Sequence, residues 1–100
     1  MNTEIEIDEQ LIAKSLLYIT INDFLYGKLK TGDWRRYRQA KDWLFNNDND
    51  SELSLNDVCE ILLIDKSQLR LLLNSYKDKK KIRLVETEFN KLLIICRKVF

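Results

Sequence analysis

Residues 53–76 read LSLNDVCEILLIDKSQLRLLLNSY. Ser54 is followed three positions on by Asp57, the spacing at which an N-cap side chain and an N3 side chain satisfy each other's backbone N–H groups. Leu53 and Val58 flank that start in the staple positions. The pattern then repeats: Asp65 caps, Gln68 lies three residues later, and Ile64 can meet Leu69. The spacing predicts a short helix over 55–62, a tight turn, and a second helix over 66–76.

Working upstream, a helix is expected over 33–45, with Trp34, Tyr37, Ala40, Trp43 and Leu44 on its inner side. Arg35 and Arg38 share another face with Asp42, and Arg38 with Asp42 has the i,i+4 spacing of an ion pair worth about 0.3 kcal/mol. Before it comes a long helix over 8–30, with Asp8 as N-cap and Glu9 in the first turn. Gly27 and Gly32 bracket its exit, and Thr31-Gly32-Asp33 reads as a turn. Apolar side chains from Leu11 and Ile12 through Leu16, Ile19 and Ile21 to Tyr26 surround this helix, so it needs cover on more than one side. The remaining helices and a second copy of the chain are the expected cover. The first seven residues, alternating Glu4 and Glu6 with Ile5 and Ile7, read as an extended arm.

The tract at 46–51 is a connection rich in Asn and Asp. Its acidic alternation imitates a calcium loop, but Leu53 stands where the turn glycine belongs and Cys59 where a bidentate glutamate should close the loop. No metal is expected. Downstream, Phe89, Leu92, Leu93, Cys96 and Phe100 fit one helical face, with Thr87 as N-cap. The alternative is a wing hairpin with strands at 81–85 and 91–96, which lacks the glycine that a tight hairpin favours. The fold expected is a single all-α domain of about five helices over 1–100: a long apolar helix at 8–30, a three-helix unit at 33–78 and a basic segment at 79–100. Trp34, Trp43, Val58, Leu62, Leu69 and Leu72 are expected to share its core.

At 55–74 the residues resemble the helix-turn-helix DNA-binding superfamily. Val58, Leu62, Ile64, Leu69 and Leu72 occupy its interhelical core positions, and Cys59 the small-residue position where the helices approach. Leu63 replaces the usual turn glycine, and Ile61 and Leu71 are apolar where the family is often polar. The resemblance implies a second helix entering the major groove by its N-terminal half. Lys66, Ser67, Gln68, Arg70, Leu71 and Asn74 would then face DNA, with Gln68 suited to adenine and Arg70 to guanine or a phosphate. Lys77, Lys79, Lys80, Lys81 and Arg83 would neutralise phosphates, as would Arg35, Arg36 and Arg38.

Composition narrows the alternatives. The 100 residues contain no His, which removes Ser–His and Cys–His nucleophile pairs and His-ligated metals. With no Pro and only two Gly, turn-rich β architectures are disfavoured. The longest apolar run, 92–96, is far short of the ~20 residues of a membrane helix. The acidic start lacks the positive charge of a signal or transit peptide, so a cytoplasmic location is expected. Cys59 and Cys96 read as reduced packing residues. No enzymatic constellation and no cofactor site emerge. From Lys66 onward ten Lys/Arg stand against three Asp/Glu, while the first 65 residues hold seven against thirteen. That asymmetry points to a polyanionic partner or to self-association. The expected function is a dimeric DNA-binding transcriptional regulator, paired through the 8–30 helix. The alternative is a protein-interaction module docking through that helix and a Leu71/Leu73 surface, with no nucleic-acid role.

Overall fold

A computed structural model describes residues 8–31, 34–46, 53–76 and 83–98. They form five α-helices in chain order: α1 (Glu9–Thr31), α2 (Trp34–Phe45), α3 (Leu55–Leu62), α4 (Lys66–Tyr76) and α5 (Glu86–Cys96). Three starts carry the expected caps. Asp8 Oδ1 accepts from the N–H groups of Gln10 and Leu11. Ser54 and Asp57 close a reciprocal capping box. Asp65 Oδ1 accepts from Ser67 N–H at 2.8 Å and Gln68 N–H at 3.3 Å. Each cap satisfies donors that the first helical turn leaves unpaired.

The long helix α1 is the hub, packing against α2, α3 and α4. Ala13, Leu17, Ile21 and Phe24 form its buried stripe. Phe24 stacks on Tyr37 of α2 with centroids 5.8 Å apart and meets Phe45 at 5.1 Å. Another side of α1 holds the segment that leads into α5. Tyr18 Oη donates to Leu84 O at 2.7 Å, Leu84 N–H donates to Asn22 Oδ1 at 2.7 Å, and the Tyr18 ring meets Phe89 edge-on at 5.0 Å. Other elements therefore supply much of the cover that the apolar circumference of α1 requires. Leu11, Ile12 and Ile19 stay exposed.

Several expectations are corrected. Trp34 leaves the core: at the first position of α2 its indole packs edge-on against Tyr37 and stays 57% exposed. Trp43, Leu62 and Leu72 are half-buried, whereas Val58 and Leu69 are fully buried. Leu73, assigned to a surface, is fully buried, because it lies one turn beyond Leu69 on the same face of α4. Thr87 does not cap α5. Val85 takes the N-cap place without a side-chain bond, and Thr87 sits inside the first turn. Residues 91–96 are helical rather than a wing strand, and the extended pairing among the described residues is a single antiparallel bridge between Ile64 and Arg97. The arm at 1–7, the acidic tract at 47–52 and the Gly32–Asp33 part of the first turn lie outside the described residues.

Candidate nucleic-acid interface

The α3–α4 corner is built around one left-handed residue. Leu63 has φ 57° and ψ 46°. Its N–H donates to Glu60 O at 3.3 Å, and Ile64 N–H donates to Cys59 O at 3.0 Å. These are the paired bonds of a Schellman closure, which usually places glycine at the left-handed position. A leucine there costs roughly 1–2 kcal/mol of backbone strain. Ile64 and Cys59, which hold the two positions whose apolar side chains usually accompany such closures, are both buried. Three residues, 63–65, then separate α3 from α4.

The C-terminal segment braces this turn, which the sequence did not suggest. Asp65 N–H donates to Cys96 O at 2.7 Å, and Lys98 N–H donates to Leu63 O at 2.8 Å. The carbonyl of the strained residue and the amide of the α4 cap are thus both satisfied by the end of α5. A residue two positions past a helix end gives no sequence signal of such pairing.

The face that α4 turns outward is smaller than expected. Ser67, Gln68, Leu71, Asn74 and Ser75 are exposed. Lys66 and Arg70 stand on the flank and are half-buried. Lys66 Nζ donates to Asn56 Oδ1 at 2.6 Å, tying the two helix starts together. Arg70 Nε donates to Leu44 O at 2.8 Å, and its guanidinium lies 5.9 Å from the centroid of Phe45. It satisfies a carbonyl that the end of α2 leaves without a helical partner. Arg70 therefore acts as a strut between α4 and α2. Leu71 projects from the middle of the outward face, 67% exposed.

On α2, Arg35, Arg36, Arg38 and Lys41 are exposed, and Arg38 Nε turns back towards Trp34 O at 3.4 Å. Asp42, the expected partner of Arg38, accepts from Asn46 Nδ2 at 2.7 Å. Arg83 is exposed just ahead of Leu84. Lys77, Lys79, Lys80 and Lys81 lie outside the described residues. Cys59 and Cys96 are free and buried. Burial pushes both thiols up from 9.0 to about 11, against opposing positive charge from Lys66 at Cys59 and with a smaller push from Asp65 at Cys96. Such thiols are protonated and unreactive at neutral pH. Among the described residues no cluster of three or more metal-ligating side chains forms, and no helix is long and apolar enough to cross a membrane.

Comparison of the chain with protein families, curated proteins and solved structures finds no match.

Proposed function

We propose that the α3–α4 corner is a helix-turn-helix DNA-binding unit and that the protein is a transcriptional regulator acting as a dimer. The observation that supports this most is the turn. Leu63 is left-handed four residues after the buried Cys59, so a side chain stands in the conformation for which the motif ordinarily uses glycine. Retaining that conformation despite its cost favours a corner whose angle matters. In this reading Gln68 reads adenine through its amide, Asn74 offers a second amide about 1.7 turns on, and Leu71 meets a thymine methyl. Arg70 positions α4 rather than reading a base. Arg35, Arg36, Arg38 and the lysines at 77 and 79–81 hold phosphates. Exposed Leu11, Ile12 and Ile19 on α1 supply the pairing surface of the dimer.

The test is fluorescence anisotropy with mixed genomic duplexes at low salt, followed by selection of a preferred site. Gln68→Ala is expected to cost about 1–3 kcal/mol at one base position. Lys79→Ala is expected to weaken all sequences alike and to reduce the salt slope by about one unit. Absence of any shift, together with no retention on heparin, refutes the proposal. Sedimentation at micromolar concentration tests the dimer, and a strict monomer removes the role given to α1.

A second reading has its own observation. An aliphatic side chain as exposed as Leu71, flanked by neutral Ser67, Gln68 and Asn74, also suits a protein partner. An interaction module would be indifferent to nucleic acid and to added salt, which separates the two in the same titration.

A further inference from the structure

One groove among the described residues lies away from the outward face of α4. It runs between the start of α1, the α3–α4 turn and the end of α5, and encloses about 590 Å³. We infer that this groove docks a short acidic, amphipathic peptide segment of a partner protein, one in which carboxylates are interleaved with aliphatic side chains.

Charge complementarity identifies the occupant. Lys14, Arg97 and Lys98 line the groove, and among the described residues no carboxylate does. Between these cations the surface is aliphatic: Ile64 is buried in it, while Leu63 and Ile94 stand exposed as its walls. The cations attract carboxylates, and the uncovered aliphatic walls gain only from apolar side chains. A phosphate backbone would meet the cations but leave Leu63 and Ile94 wet, which disfavours nucleic acid here. A compact metabolite is disfavoured by openness, because small-molecule sites bury most of their ligand's surface. Here Gln10, Asn90 and the three cations are all exposed.

The groove is also preorganised. Its central wall is the turn held by the Asp65–Cys96 and Lys98–Leu63 backbone bonds, so little ordering is left to the binding step. This inference does not depend on the DNA-binding proposal, since none of the groove's cations belongs to the α4 face.

The probe is a fluorescein-labelled octapeptide alternating glutamate with leucine, titrated by anisotropy against the full chain at low and high salt. Binding is expected to weaken with salt, and a glutamine-for-glutamate peptide to bind at least about 10-fold more weakly. The exposed pair Lys14→Glu/Lys98→Glu is expected to lose about 10-fold or more, and Ile94→Ser several-fold. Far-UV circular dichroism checks each variant. If the double charge variant fails to fold, the peptide comparison and Ile94→Ser carry the test. Equal binding of the glutamate and glutamine peptides, or no binding, overturns the inference. So does displacement of the peptide by a DNA duplex whose own affinity depends on Lys14 and Lys98, which would make this a nucleic-acid face.

Discussion

Replacing Asn22 by leucine should be the most informative perturbation of the fold. Asn22 is only 8% exposed, on α1 between the buried side chains of Ile21 and Phe24. Its Oδ1 accepts from Leu84 N–H at 2.7 Å, and its Nδ2 donates to Tyr18 O at 3.0 Å and reaches Leu84 O at 3.5 Å. Leu84 is fully buried, so its N–H has no water to fall back on. Asn22→Leu keeps a similar volume and removes that acceptor. Leu84 O keeps the Tyr18 hydroxyl at 2.7 Å, so the damage is confined to one orphaned donor. One unsatisfied buried donor costs about 1–3 kcal/mol. For a domain of this size each kcal/mol lowers Tm by about 4–8 °C.

Denaturant unfolding with an unchanged m-value, and loss of hydrogen-exchange protection at the Leu84 amide, are the readouts. Asn22→Asp separates the acceptor from the donor. The carboxylate still accepts from Leu84 N–H but places a buried charge beside two carbonyls. Its folded-state pKa therefore rises above the unfolded ~3.9. Its stability relative to the parent chain is greatest below that pH and falls as pH rises through the folded-state value. If Asn22→Leu lies within about 0.5 kcal/mol of the parent, Leu84 N–H is not dry and the attachment of α5 to α1 is misread.

Leu63→Gly should change stability by less than about 1 kcal/mol despite the loss of a whole side chain, because relief of left-handed strain opposes glycine's greater unfolded-state entropy and the lost apolar contact. Leu63→Val should be clearly destabilising in the same denaturation assay, since a β-branched side chain tolerates that backbone region least. Arg70→Ala should lower the unfolding free energy by about 1–2 kcal/mol in the absence of any nucleic acid, for the Leu44 carbonyl and the Phe45 ring both lose their partner. An unchanged stability would refute the role of Arg70 as a strut between α4 and α2. The raised thiols make the fold alkali-sensitive. Unfolded thiols ionise from 9.0 and folded ones only at about 11, so the stability they contribute is full below pH 9 and declines between the two values. A Cys59→Ala chain should show a shallower decline over that window, and an identical slope would refute the assignment.

What was legible in the sequence was local. The caps at Asp8, Ser54 and Asp65 act over two or three residues, so spacing alone located the starts of α1, α3 and α4. Helix α5 hid its start because no polar side chain makes it. The chain enters that helix from Leu84, which is tied to Asn22 and Tyr18 more than sixty positions earlier. The run Leu71-Leu72-Leu73 offered periodicity no way to choose, and the packing chose Leu73 and left Leu71 in solvent.

The same distinction governs the candidate interface. Ser67, Gln68 and Asn74 face outward because their angular position on α4 is opposite to Leu69 and Leu73, which a helical projection supplies. Lys66 and Arg70 project towards the flank, where the outcome depends on which acceptors neighbouring helices leave open. Asn56 Oδ1 and the terminal carbonyl of Leu44 were those acceptors. A long cation beside an unpaired helix end is drawn to it before it is available to any ligand. In the proposed role, α4 would read bases with its amides and Leu71, and most of the positive charge would come from residues outside the helix. In a DNA-binding role for this corner, the phosphate contacts would therefore come from Arg35, Arg36 and Arg38 on α2 and from the lysines at 77 and 79–81. Converting the four lysines to alanine should weaken binding to every duplex and lower the salt slope by about four units. An unchanged affinity and salt slope in that variant would mean that nucleic acid is held by another face.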